Sequence, residues 1–189
     1  MNIFLKLKHW QLFILTFGIP VIFEIIFMRE AISGNNPWMF FKYFPVMMII
    51  YVGIIFGWFY ALGTNLQKKL PETVKMNLTR FRWFFFIPVA YILFFCWVIF
   101  NIPGNENFML QFNPLIFLAI FPVHLFCMFC IFYCLYFVSK SLKSVELQRP
   151  VTFSDFAGEF FLIWFLPIGV WIIQPRINKL FNTNQEISF

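Results

Sequence analysis

Four long apolar runs, separated by short polar segments, set the pattern of this chain. They lie at about residues 12–28, 43–62, 83–100 and 114–138. An α-helix rises about 1.5 Å per residue, so roughly 17 to 25 residues are needed to cross a hydrocarbon core about 30 Å thick. The pattern therefore predicts four transmembrane helices.

A fifth run is shorter and is interrupted. Its apolar part covers residues 160–173 and contains Pro167 and Gly169, which predict a break in the helix. A run of this length is typical of a re-entrant or interfacial segment, here residues 156–174. We therefore expect an all-α membrane protein, a four-transmembrane-helix bundle plus a short C-terminal re-entrant or interfacial helix. Residues 1–189 are expected to form a single membrane domain.

The basic residues favour this arrangement. If the fifth run does not span, 12 of the 14 basic residues lie on one side and only Arg29 and Lys42 lie on the other. If it spans, Arg176 and Lys179 change sides and the distribution becomes 10 to 4. Cytoplasmic loops are enriched in Lys and Arg, so both termini are predicted to be cytoplasmic.

Composition agrees with the pattern. The chain is 61% hydrophobic and 12% charged, whereas soluble domains are about 45–50% apolar and about 25% charged. The net charge of +6 follows from membrane topology, and no nucleic-acid partner is expected. The predicted partners are the lipid bilayer and, at the cytoplasmic loops, a cytosolic protein.

The cytoplasmic segments carry local signals. Leu70-Pro71-Glu72-Thr73 resembles a helix start, and Thr152 is expected to cap the final segment. Asp155 and Glu159 lie one turn apart in that segment and are expected to have cationic partners. A basic patch, predicted to meet an acidic protein surface or anionic lipid, comprises Lys68, Lys69, Lys75, Arg80 and Arg82.

Gly53, Gly57 and Ala61 recur every four residues in the second run. Small residues at this spacing form a flat stripe that lets two helix backbones approach closely. The stripe fits a homo-oligomer contact and packing within one chain equally well.

Glu24 and His124 lie within apolar runs, where an ionisable side chain is costly and is a functional candidate. Glu24 could pair with Arg29 or reach the membrane surface. His124 could bond a carbonyl group freed near Pro122, or it could sense protons or line a pore.

No catalytic or metal-binding constellation is evident. Cys127, Cys130 and Cys134 follow His124 along one helix, but a single straight helix cannot close a tetrahedron around zinc. We expect no metal, no cofactor and no enzymatic activity.

The stretch Pro167-Ile168-Gly169-Val170-Trp171-Ile172-Ile173-Gln174-Pro175-Arg176-Ile177-Asn178 resembles the endings of small polytopic membrane proteins of Bacteroidota-like bacteria. The resemblance covers the last fifth of the chain, implies a bacterial source and carries no function. We expect a non-enzymatic inner-membrane subunit that self-associates and acts as an anchor, sensor or pore component, by analogy of size in a defence or stress system. The alternatives are a channel or small-solute transporter, and an immunity protein against a membrane-active toxin.

Overall fold

The computed structural model describes residues 3–33, 39–101 and 114–182. Every regular element within these ranges is helical. A short 3₁₀ turn, Ile3–Leu5, precedes a continuous first helix made of α1 (His9–Phe13), a π-helical turn (Ile14–Gly18) and α2 (Ile19–Ile32). The remaining helices are α3 (Met39–Leu66), α4 (Leu78–Phe100), α5 (Pro114–Leu147), α6 (Phe153–Trp164) and α7 (Leu166–Asn182).

Within the described residues, four helices are long and apolar enough to cross a membrane: His9–Arg29, Tyr43–Lys69, Leu78–Phe100 and Ile120–Leu147. The predicted four-transmembrane-helix bundle is thereby confirmed. Each helix is longer than its apolar run, because the backbone hydrogen bonds of a helix can continue beyond the hydrocarbon core. Large apolar side chains such as Ile25, Trp97 and Leu118 are exposed on the outside, as lipid contact requires.

Tight packing is concentrated at one end of the bundle. Phe81 and Phe137 are fully buried there, with ring centroids 4.5 Å apart. Leu66 of α3 and Ile177 of α7 are also fully buried, whereas no described side chain of α2 is buried. This end, which we call the basic end, contains residues 3–8, 66–82, 137–159 and 174–182.

The C-terminal segment is a pair of helices rather than the single short helix expected. The break lies at Phe165, whose backbone leaves the helical conformation with φ −87° and ψ 65°. Pro167 lies in the first turn of α7, where proline is tolerated. A Cβ on Gly169 would lie 1.7 Å from the carbonyl oxygen of Leu162, so glycine lets α7 pass closely over α6.

This α6–α7 hairpin starts and ends at the basic end. α6 follows α5 after a five-residue turn, and α7 returns to pack on α1 and on the N-terminal 3₁₀ turn. Phe161, Trp164, Ile168 and Trp171 are exposed on its outer surface. Both ends of the apolar hairpin therefore lie at the same end of the bundle, and its insertion into the membrane as a re-entrant segment stays a prediction.

The helix start predicted at Leu70-Pro71-Glu72-Thr73 is wrong. A 3₁₀ turn covers Gln67–Lys69, and α4 begins only at Leu78. The side chain of Asn77 caps it, because its Oδ1 accepts a hydrogen bond of 2.9 Å from the backbone N–H of Arg80. The cap expected at Thr152 is confirmed: the carboxylate of Asp155 accepts hydrogen bonds from its N–H at 2.8 Å and its hydroxyl at 2.9 Å.

Candidate functional site

A cluster of four charged side chains joins α5, α6 and α7 at the basic end. Arg176 Nη2 lies 2.5 Å from Glu146 Oε2 and 2.7 Å from Glu159 Oε1. Lys143 Nζ contacts the same oxygen of Glu159 at 2.9 Å. Two cations balance two carboxylates, so the cluster is neutral and its members are paired, as buried charges require.

The pKa shifts show how the cluster is held. Burial acts to raise the pKa of Glu159, but hydrogen bonds from Arg176 and Lys143 outweigh it and keep this pKa below its usual range. The hydrogen bond to Glu146 raises the pKa of Arg176, while burial opposes the change and Glu159 reinforces it. Glu159 and Arg176 are therefore both charged at neutral pH.

The two acidic residues expected to have cationic partners do have them. Glu159 binds Lys143 and Arg176, and Asp155 lies 3.3 Å from Arg149. Hydrogen bonds from the backbone and side chain of Thr152, with Arg149 contributing less, hold the pKa of Asp155 below its usual range. Both predictions are confirmed.

A second polar node ties α7 to α3 and to the N-terminal segment. The indole N–H of Trp58 donates to Gln174 Oε1 at 2.8 Å, and both residues are buried. The amide nitrogen of Gln174 donates to the carbonyl groups of Phe4 at 2.9 Å and Leu7 at 2.8 Å. Asn178 donates to the carbonyl group of Leu7 at 3.0 Å. The backbone of residues 4–7 is thus held by side chains of α7.

The five residues of the predicted basic patch do not all face outward in the structure. Lys69 lies over the ring of Phe181 with Nζ 4.4 Å from its centroid, and it donates to the carbonyl group of Leu180. It fastens the end of α7 instead of facing outward. The other four basic side chains are exposed, and none forms an ion pair with another described residue: Lys68, Lys75, Arg80 and Arg82. We call these four residues the basic surface.

The small-residue stripe on α3 is largely covered from within the chain. Ala61 is fully buried, and a Cβ on Gly57 would lie 2.7 Å from the ring of Phe4. Gly53 is open, because nothing lies within 4 Å of the Cβ position. Self-association through this stripe stays a prediction, with Gly53 as its accessible member.

Glu24 and His124 are not brought together. Glu24 is exposed on α2, and no ion pair joins it to Arg29. His124 is exposed on α5, where its Nδ1 lies 3.4 Å from the hydroxyl of Tyr91 on α4. The partner of His124 is thus a tyrosine, not a carbonyl group near Pro122. Neither residue lines either of two apolar spaces, an inner cavity and an outer groove, that lie beside the contact between α3 and α4.

The three cysteines of α5, Cys127, Cys130 and Cys134, are buried, as is Cys96 on α4. Across residues 3–33, 39–101 and 114–182, no three His, Cys, Asp or Glu side chains are grouped so that they could hold a metal ion.

Two apolar spaces flank the contact between α3 and α4. An inner cavity of about 140 Å³ lies between Phe59, Cys134, Ile163 and Leu166. An open groove of about 430 Å³ runs along the outer surface of α3 and α4 past Gly53. Phe56 and Phe85 line both spaces, and their rings meet edge to face with centroids 5.5 Å apart.

Sequence reasoning missed Glu146, Lys143 and Gln174 as members of the polar nodes. One signal was present: Gln174 and Arg176 end an apolar run, where uncompensated polar side chains are costly and need partners. Helix spacing alone could not name those partners, which lie up to 170 residues away in sequence. No protein-family model matches this chain, and no curated protein or solved structure is significantly similar to it.

Proposed function

We propose that the protein is a non-enzymatic membrane subunit that anchors an acidic cytosolic partner through its basic surface. The observation that carries the proposal is the excess of unpaired positive charge at the basic end, where Glu72 is the one described carboxylate without an ion pair. Glu146, Glu159 and Asp155 are engaged with cations of the same chain. Lys68, Lys75, Arg80 and Arg82 are left exposed and without ion pairs to the rest of the described chain.

The rigidity of this end supports docking. Lys68 follows Leu66, which is fully buried, and Arg80 and Arg82 flank the fully buried Phe81 at the start of α4. The backbone at Lys68, Arg80 and Arg82 therefore belongs to a packed platform, and little ordering of this backbone is required on binding. Because basic residues accumulate on the cytoplasmic side, the expected partner is cytosolic. Complementary charge would speed encounter and select an acidic surface.

A photo-crosslinking amino acid at Lys75, in membranes of the native host, tests this proposal. We expect a cross-link to an acidic cytosolic protein that weakens as salt is raised and disappears when Lys68→Glu and Arg80→Glu are combined. The matched control carries the same cross-linker at Asn101, an exposed residue beyond the last turn of α4. Equal cross-linking from Asn101, or a cross-link that survives the charge reversal, contradicts the proposal.

Reconstituted liposomes test the alternative of a channel or transporter. Anchoring predicts no solute or proton flux above that of protein-free liposomes. A flux that His124→Ala abolishes would replace anchoring with conduction as the primary activity. His124 and Glu24 face outward on different helices, so a pore that used both would have to form between chains.

A further inference from the structure

The outer groove between α3 and α4 has Tyr60 among its lining residues, on the side of the basic end. Ile49, Gly53 and Tyr60 line it on α3, and Phe86, Val89 and Leu93 line it on α4. Residues four or three apart lie on one face of a helix, so Arg82 is the next residue of the row that contains Phe86, Val89 and Leu93. Side chains of a helix lean toward its N-terminus, which directs Arg82 away from the apolar groove and toward the basic end.

We propose that this groove binds one anionic phospholipid of the leaflet at the basic end. One acyl chain lies in the groove beside Gly53, and the headgroup phosphate meets Arg82 and the hydroxyl of Tyr60. Arg82 is then engaged by lipid, and the other three residues of the basic surface, Lys68, Lys75 and Arg80, remain for the cytosolic partner. Tyr60 closes the groove at this end, with its ring centroid 6.0 Å from that of Phe86. Among the described residues, nothing pairs with the guanidinium of Arg82 or accepts a hydrogen bond from the Tyr60 hydroxyl.

The length of the groove matches one leaflet. Leu93 and Arg82 are eleven residues apart, which corresponds to about 16 Å along α4. Half of the hydrocarbon core is about 15 Å thick. An acyl chain that reaches Leu93 therefore places its headgroup at the depth of Arg82 and of the exposed Trp83, and Trp and Arg both favour this boundary.

Charge and shape favour a lipid over a second copy of the chain. The basic end of another copy would bring further cations to Arg82, whereas an anionic headgroup compensates its charge. A close helix contact is favoured by small residues one turn apart. Gly57, one turn from Gly53, is covered by the ring of Phe4. A flexible acyl chain tolerates such an uneven surface.

Native mass spectrometry can count the lipids that stay bound after purification from an equimolar mixture of phosphatidylglycerol and phosphatidylcholine. We expect the wild-type protein to retain one phosphatidylglycerol in preference. Gly53→Leu fills the groove and should lower retention of either lipid about tenfold. Arg82→Gln should lower only the preference for the anionic lipid, by about fivefold, as expected for one basic residue near an anionic surface.

Each variant has a matched control. Gly158→Leu adds the same bulk at another exposed helical glycine with open space around its Cβ position. Lys75→Gln removes an exposed cation that precedes α4 and is therefore not in the helical row of Arg82. Both controls should retain the lipid as the wild type does. No preferential retention, equal losses in Lys75→Gln and Arg82→Gln, or a dimer that Gly53→Leu splits without changing lipid retention would each overturn the proposal. If Gly53→Leu does not fold, the lipid preference of Arg82→Gln alone tests the proposal.

Discussion

The indole nitrogen of Trp58 donates a hydrogen bond of 2.8 Å to Gln174 across 116 residues of sequence. This bond joins the middle of a transmembrane helix to the returning arm of the α6–α7 hairpin. Gln174 also holds the backbone of the N-terminal segment. A single buried amide therefore connects three parts of the chain, and its loss should lower the stability of the whole basic end.

Gln174→Leu should lower the free energy of unfolding by about 2 kcal/mol, because the buried Trp58 N–H and the carbonyl group of Phe4 both lose the partner that Gln174 provides. Thermal unfolding in detergent, followed by tryptophan fluorescence, measures the loss. Trp58→Phe alone and combined with Gln174→Leu completes a double-mutant cycle. Strictly additive losses would show that the two side chains are not coupled.

Arg176→Gln should be strongly destabilising, by about 3 kcal/mol, because it leaves Glu146 and Glu159 facing each other without their shared cation. Adding Glu146→Gln should restore part of the loss, because it removes the carboxylate that loses its cation, whereas Glu159 keeps Lys143. Arg149→Gln is the matched control, since Arg149 and Asp155 pair near the surface where ion pairs contribute little. Chemical denaturation in mixed micelles gives the comparison. Equal effects of Arg176→Gln and Arg149→Gln would contradict a role for the cluster.

Acid should weaken the contacts of the hairpin. The folded protein lowers the pKa of Glu159 below its ordinary value of 4.5, so its ionised form stabilises the fold. This contribution is fully present above about pH 4.5 and is lost as pH falls through the lower, folded pKa. The melting temperatures of the wild type and Glu159→Gln, measured from neutral pH to pH 3, should therefore converge in acid. An advantage of the wild type that persists or grows at pH 3 would contradict this assignment.

Gly169→Ala should destabilise the hairpin by about 1–3 kcal/mol, because the new methyl group collides with the carbonyl oxygen of Leu162 and the backbones must separate. Gly158→Ala provides the control on the neighbouring helix. Its Cβ position is open, so alanine should raise stability by about 0.5–1 kcal/mol through helix propensity. Melting temperatures that move in the same direction for both variants would show that Gly169 does not mark a close approach.

Both arms of the hairpin should end on one side of the membrane. Single cysteines at Lys75 and at Lys179 should react with a membrane-impermeant maleimide in the same vesicle orientation, and a cysteine at Asn101 should react in the opposite one. The four native cysteines are buried and give a low background. Labelling of positions 75 and 179 from opposite sides would mean that the C-terminal segment spans.

Many residues of the candidate site could be identified from the sequence, but the contacts between them could not. The exposed basic residues, the capping Thr152 and the need of Glu159 for a cation follow from local rules of spacing and charge. Lys69 looks like its basic neighbours in sequence, yet it fastens α7 through Leu180 and Phe181. Gly57 and Gly53 are equivalent by spacing, yet only Gly57 is covered by Phe4. Such differences depend on which helix lies alongside, and spacing within one helix carries no information about its neighbours.

The apolar runs by themselves determined that the described part of the chain has four helices long and apolar enough to cross a membrane, because this capacity depends on length and hydrophobicity. The Pro167–Gly169 sequence also indicated that the last run is interrupted. Only the tertiary structure decided that the interruption produces a hairpin turning at Phe165. The partners that hold this hairpin lie on other helices: Glu146 and Lys143 on α5, and Trp58 on α3. Buried polar groups must be paired, but which groups meet is decided when the helices pack together.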